Sequence, residues 1–335
     1  MNAVIQLTGR QRAELFQATA QKLGIADVIV EKDFWVCWTL SQLFTLPDVR
    51  DHLIFKGGTS LSKVWKIIDR FSEDIDVSLG RDWLGFSGAS DPENIAGRNK
   101  QGAQIEKLRN ACESKVAGTL LPALTSRAAD QLAGSGWKFV IEEEDAQTVR
   151  FRYPTALPEA APYIRREVKI EFGARSDSWP KETASIIPYA AEAFPFEDAT
   201  VAVQVLAAER TFWEKATILH AEAHRAEGSD VPARYSRHYA DLAAFQVSNR
   251  AAAAIAADDL RARVVEHKQV FFPATWARYP EAVPGTFRLV PDDTRIEELR
   301  VDYGEMQLMY FREPTPWPEI IARLRELESL INRRV

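Results

Sequence analysis

The chain has 335 residues, of which 46% are hydrophobic and 27% charged, with a net charge of −6 and two cysteines. This balance suits a globular chain long enough for two domains, and no stretch is apolar over the length that a transmembrane helix needs. Cys37 and Cys112 form no metal or redox spacing, so disulfides are not expected. The opening Met1-Asn2-Ala3-Val4-Ile5-Gln6 lacks the basic and apolar blocks of a signal peptide, so a cytoplasmic protein is expected.

Residues 9 to 46 read as helices punctuated by Gly24, and residues 47 to 51 turn into a short apolar strand, Leu53-Ile54-Phe55. Gly57 and Gly58 stop that strand where side chains would keep a ligand from the backbone. Thr59 or Ser60 is predicted to cap a helix whose buried face is Leu61, Val64, Trp65 and Ile68, at the i, i+3, i+4, i+7 spacing. Free amides and the helix dipole gather at such a turn, which suits a phosphate chain. In the next strand Ile75, Val77 and Leu79 alternate with Asp74, Asp76 and Ser78, so both aspartates point to one face. Two carboxylates that close repel unless a cation lies between them, and oxygen-only ligands favour Mg²⁺ or Mn²⁺. A lone Asp-x-Asp is usually a solvated strand face; the preceding Gly-Gly-Thr-Ser and helix turn the balance toward a nucleotide site. Ser72, two residues before Asp74, faces the same way on an extended strand and can reach a phosphate oxygen, or it simply ends the turn.

Residues 80 to 100 read as a loop, and 104 to 132 as helical. Residues 137–142 and 148–154 read as paired strands around an acidic turn. In Arg166-Glu167-Val168-Lys169-Ile170-Glu171-Phe172 charged and apolar residues alternate, which puts Glu167, Lys169 and Glu171 on one strand face. Prolines 180, 188 and 195 mark a crossing into a C-terminal half that reads as almost wholly helical to Val335. Lys215 lies on a helix running to about Arg225, where a lysine is ordinarily a surface cation, though a triphosphate site needs such a charge. His220 and His224 have zinc-protease spacing, but Glu222 falls one residue too late on the helix to be that motif's general base.

Lys56-Gly57-Gly58-Thr59-Ser60-Leu61 followed by Arg70-Phe71-Ser72-x-Asp74-Ile75-Asp76 resembles the signature of the AbiEii/AbiGii toxin family, within the DNA polymerase β-like nucleotidyltransferases. Glu31-Lys32-Asp33-Phe34, Glu209 to Lys215, Arg237 to Leu242 and Asp302-Tyr303-x-x-Met306 resemble further motifs of that family, so the likeness spans most of the chain. The resemblance implies an α+β fold: a polymerase β-like core, a small mixed sheet flanked by helices, over residues 1–198, then a mostly helical domain over 199–335. It implies a metal-dependent enzyme that moves NMP from an NTP to an RNA acceptor such as a tRNA 3′ end, releasing pyrophosphate. It also implies a role as the toxin of a toxin–antitoxin, phage-defence system with a cognate antitoxin. Carried over, Ser72, Asp74, Asp76, Lys215 and Asp241 are catalytic positions; in some members the hydroxyl matching Ser72 is where a partner silences the enzyme by phosphorylation. Lys56, Gly57, Gly58, Thr59, Ser60 and Arg70 form the expected nucleotide-binding set, and Asp74 and Asp76 hold Mg²⁺ or Mn²⁺. Such enzymes usually carry a third carboxylate on a later strand, and Glu171 at the strand end is preferred to Glu167.

A net charge of −6 argues against a wholly basic RNA-binding surface. Three local groups remain as a possible funnel: Lys56, Lys63, Lys66 and Arg70; Arg165, Arg166, Lys169 and Arg175; Arg225, Arg234 and Arg237. Two other readings stay open. One is a metal-dependent nuclease using Glu167 and Lys169 with Asp74 or Asp76, and the other is a non-catalytic nucleotide-binding regulator.

Overall fold

A computed structural model describes residues 1–132, 134, 136–158, 165–226 and 228–333. Contacts divide the chain into two compact units, one of residues 1–64 and 71–206 and the other of 65–70 and 207–335. The expected boundary at 198 therefore falls before the last strand of the first unit, and the six residues ahead of Phe71 count with the second.

In chain order the first unit holds α1 (Asn2–Ile5), α2 (Gly9–Leu23), α3 (Asp27–Phe44), β1 (Leu53–Lys56), α4 (Gly57–Lys63) and β2 (Asp74–Leu79). There follow α5 (Arg98–Lys115), a π turn at 116–120, α6 (Leu121–Gln131), β3 (Lys138–Ile141), β4 (Thr148–Arg152), β5 (Glu167–Gly173), β6 (Lys181–Ile186), α7 (Tyr189–Ala193) and β7 (Val201–Leu206). Gly24 closes α2 in the left-handed conformation at φ 71, a backbone state that glycine adopts without cost. The strands form one mixed sheet in the order β3-β4-β5-β2-β1-β7-β6. β2 runs antiparallel to β1 and parallel to β5, and so lies near the middle.

Two features differ from the sequence expectation. The expected helix through Ile68 ends at Lys63, because Lys66 takes a positive φ of 52 that a continuing helix does not allow. The crossing at the prolines contains two strands, β6 and β7, so helices take over only after Leu206.

One face of the sheet is apolar. Ile75, Val77, Val149, Phe151, Val168, Ile170 and Phe172 are buried there. α3 packs in the same core, with Trp35 and Trp38 each meeting the ring of Phe151. α3 is buried nearly all round, which is why its sequence shows no polar stripe.

The second unit is helical: α8 (Ala208–Glu222), α9 (Ser236–Gln246), α10 (Ala251–Ala256), α11 (Asp258–Phe271), α12 (Asp293–Glu305) and α13 (Trp317–Asn332). Its core is aromatic, with Phe212 against Trp213 and Phe245, and Trp317 against Tyr239 and Tyr303. The last two residues of the expected C-terminal helix, Arg334 and Val335, lie outside the described residues. Among the described residues no helix is long and apolar enough to cross a membrane.

Candidate active site

In the first unit the polar face of the sheet carries the acidic residues. Asp74 and Asp76 are partly buried and separated by buried Ile75, as strand alternation requires. Register sets Asp76 across from Glu171 on β5 and from Lys56 on β1, and Asp74 across from Lys169. Paired residues on neighbouring strands share a face, so Lys56, Asp74, Asp76, Lys169 and Glu171 form one patch. Lys169 pairs with Glu171, while Glu167 is held by Arg150 at 2.5 Å with Arg152 at 3.8 Å. Burial, with Glu73, Glu171 and Asp76 adding negative charge, raises the pKa of Asp74 to about 6.

The glycine turn lies directly against this patch. Gly57 has φ +77, and a Cβ built on it would stand 1.9 Å from Oδ2 of Asp76. Only glycine allows both that backbone angle and that approach. α4 starts at Gly57 with no intervening loop and no side-chain cap. Thr59 and Ser60, expected as caps or phosphate contacts, are buried and turned to the protein. The Thr59 hydroxyl donates to the backbone carbonyl of Asp74 and stands 3.0 Å from Oγ of Ser72, and Ser60 Oγ donates to the Gly57 carbonyl at 2.8 Å. Ser72 precedes β2 instead of lying on it, so its hydroxyl sits beside Thr59 at the strand entrance.

The Glu31-Lys32-Asp33 motif lies on α3 behind these elements. Glu31 accepts from the Ala156 amide and the Thr155 hydroxyl. Lys32 pairs with Glu73 and donates to the Arg165 carbonyl. Asp33 binds Lys63 of α4 at 2.7 Å and accepts from the Tyr189 amide at 2.6 Å. Lys63 also stands 3.7 Å from the centre of the Tyr189 ring; burial opposes its charge, yet Asp33 holds its pKa above the ordinary lysine value. The motif thus buttresses α4 and the entrance to β2.

In the second unit Asp241 of α9 is 1% exposed and fully engaged. Arg70 donates to both of its oxygens at 2.8 Å from Nε and Nη2, and Lys215 of α8 donates to Oδ2 at 2.8 Å. Burial by itself would raise the Asp241 pKa, but Arg70 and Lys215 hold it well below the usual carboxylate range. Burial lowers the Lys215 pKa; Asp241 works the other way, and Arg70 and Arg237 reinforce burial. His238 Nδ1 stands 3.4 Å from the Lys215 ammonium, and burial together with that cation pushes the imidazole well below its ordinary pKa. Asp302 of α12 holds the start of α9, accepting from the Arg234 and Ser236 amides and from Ser236 Oγ. His220 is structural: Nδ1 accepts from the Arg288 amide, so Nε2 carries the proton toward the Arg278 carbonyl.

Several sequence expectations change here. Arg70, placed in the nucleotide-binding set, is buried on Asp241. The first basic group loses two of its four members to internal ion pairs, Lys63 with Asp33 and Arg70 with Asp241. Arg225 of the third group is paired with Glu222. Sequence reasoning missed the pairing of Arg70 with Asp241, the buttress from Lys32 to Glu73, and the cap from Asp302. A buried pair formed by residues 171 positions apart leaves no periodic trace in a single sequence.

The oxygen-only donors at Asp74 and Asp76, with the raised pKa of Asp74, fit a hard divalent cation. Among the described residues no three Asp, Glu, His or Cys side chains already stand close enough to hold a metal, consistent with Glu171 being drawn to Lys169.

The family model for the nucleotidyl transferase AbiEii toxin of type IV toxin–antitoxin systems matches residues 38–326, a span that includes every candidate site residue and begins just after the Glu31-Lys32-Asp33-Phe34 motif. No curated protein matches the chain. Among solved structures it is similar to MenT4, a nucleotidyltransferase toxin from Mycobacterium tuberculosis H37Rv, at 17% identity and a TM-score of 0.35, covering 87% of this chain and 98% of that one, a likeness too low to bear on activity. The family match is what decides identity: the chain belongs to the AbiEii family of nucleotidyltransferase toxins, enzymes of type IV toxin–antitoxin systems.

Proposed function

We propose that the protein transfers NMP from an NTP to the 3′-hydroxyl of an RNA acceptor, a tRNA 3′ end being the leading candidate. The hydroxyl oxygen bonds to the α-phosphorus, the bond to pyrophosphate breaks, and the hydroxyl proton passes to solvent. The observation that carries this reading is the acidic patch of Asp74 and Asp76 set against Gly57 at a 1.9 Å Cβ approach, with the Asp74 carboxyl raised to about 6.

Asp74 and Asp76 would hold Mg²⁺ or Mn²⁺, with Glu171 as the third carboxylate once it leaves Lys169. Such an ion supplies Lewis-acid activation of the phosphate and lowers the pKa of the attacking hydroxyl. Lys56 and the backbone of Gly57, Gly58, Thr59 and Ser60 border the place for the triphosphate, and Ser72 offers a hydroxyl beside it. Lys215 offsets charge that builds on the phosphates, a contribution of about a hundredfold in rate for a preorganised cation. Asp241 orients Lys215. A toxin of this class acts in the cytoplasm under restraint by its antitoxin, and phage defence is the setting that fits.

The nuclease reading is weaker, because Glu167 is engaged by Arg150 and Lys169 by Glu171. The test is to incubate the purified protein with each α-labelled NTP and total cellular RNA. Label should enter RNA and RNA length should stay intact when NTP is omitted. Shortening of RNA without any NTP would establish the nuclease reading instead.

A further inference from the structure

The six residues before Phe71 are held along their length within the second unit. The Arg250 guanidinium lies 4.2 Å from the centre of the Trp65 ring, Ile68 is buried, the Asp69 carbonyl accepts from the Phe311 amide at 3.4 Å, and Arg70 forms an antiparallel bridge with Tyr310. Arg70 ends this strap with the bidentate pair to Asp241, a geometry only arginine provides, since lysine has no planar fork. Ser72 and Asp74 follow two and four residues later along the chain. The same Asp241 oxygen that takes Nη2 of Arg70 also takes Nζ of Lys215.

We propose that Arg70 is a positioning residue: through the buried carboxylate of Asp241 it fixes the chain that leads into the Asp74 strand and the ammonium of Lys215 together, and it does not touch the nucleotide. Three observations support this. Arg70 is 3% exposed, and its guanidinium fork is closed on the Asp241 carboxylate. Both of its donors to Asp241 lie at 2.8 Å, the length of a strong charge-assisted pair. Finally, Asp241 serves two cations at once, so the strap and Lys215 are held through one buried carboxylate. Loss of Arg70 then acts on the rate of the bound complex and leaves NTP affinity alone.

This inference rests on the transferase reading, and the experiment separates the two. NTP affinity and single-turnover transfer are measured for wild type, Arg70→Gln, Arg70→Lys, Asp241→Asn and Arg70→Gln/Asp241→Asn, well below the melting temperature of each. Expected are an NTP Kd within about twofold of wild type, a transfer rate about a hundredfold lower for Arg70→Gln and Arg70→Lys, and a double variant no worse than the poorer single one. Added guanidinium should partly restore Arg70→Gln. A tenfold or larger rise in NTP Kd would make Arg70 a nucleotide contact and overturn the proposal. Unchanged rates, additive losses, or failure of both Arg70 variants to fold would overturn it as well. Absence of transfer by wild type would instead remove the transferase reading on which it stands.

Discussion

Asp74 shows how a residue of the proposed site weakens its own fold. Its pKa of about 6 lies above the ordinary 3.8 because burial and the charges of Glu73, Glu171 and Asp76 disfavour ionisation. A raised carboxyl pKa means that the folded state binds the proton more tightly than the unfolded one. The contribution of Asp74 to stability is thus fully present at low pH and is lost as pH rises from 3.8 through about 6. Asp74→Asn should therefore stabilise the metal-free protein at pH 7.5, by about 1–3 kcal/mol in denaturant melts, while abolishing transfer. In the metal-free wild type the Asp74 carboxyl should titrate near pH 6 when followed by NMR, and added Mg²⁺ should move that titration to lower pH; a metal-free carboxyl that titrates near the ordinary 3.8, or one that Mg²⁺ does not move, would contradict the assignment. Gly57 is as constrained. Gly57→Ala places a methyl 1.9 Å from Asp76 Oδ2 at a φ of +77, so both the strain and the displaced carboxylate should tell. We expect a loss of about 1–3 kcal/mol in stability and a fall in transfer of at least about a hundredfold. An active Gly57→Ala variant would mean that the turn does not fix Asp76. The Asp-x-Asp alternation and the glycine pair were legible in the sequence because both are local. The close approach of Gly57 to Asp76 was not, since it depends on the antiparallel register that sets Lys56 opposite Asp76.

At the scale of elements, short helices and borrowed caps place the side chains. α9 has no side-chain cap of its own, and Asp302 of α12 supplies one by accepting from two amides at its start. A carboxylate there satisfies free N–H groups and meets the positive end of the helix dipole. Asp302→Ala should lower stability by about 1–2 kcal/mol. It should also slow transfer, because the helix that carries Asp241 loses the anchor at its start; a variant stable and active as wild type would show the cap to be dispensable. The strands around the site could be read from period-two patterns in 148–154 and 166–172, and β4 and β5 fall there. β6 escaped because it is an edge strand whose residues are mostly exposed and polar, which leaves no alternation to detect. The expected helix past Lys63 failed for another reason. Val64, Trp65 and Ile68 do keep helical spacing, but the turn at Lys66 carries them out of helical geometry, and Trp65 is held by Arg250 within the second unit.

Over the whole molecule, the carboxylates lie in one compact unit, whereas Lys215, Asp241 and Arg70 belong to the other, and the chain passes between the units just before the Asp74 strand. That division matches the wide spread of the motifs along the sequence. It also recasts the net charge of −6. Several cations that looked like an RNA funnel are held in ion pairs within the protein, so the RNA acceptor proposed above would meet fewer free cations and bind transiently. The central claim is nucleotidyl transfer at the Asp74 and Asp76 patch. Parallel reactions with α-labelled and γ-labelled NTP, run with wild type and Asp76→Asn, test it most directly. The account predicts that wild type moves α-label into RNA and γ-label into pyrophosphate, while Asp76→Asn, folded as judged by circular dichroism, moves neither. Label in RNA from the γ position, or α-label transferred equally by Asp76→Asn, would contradict it.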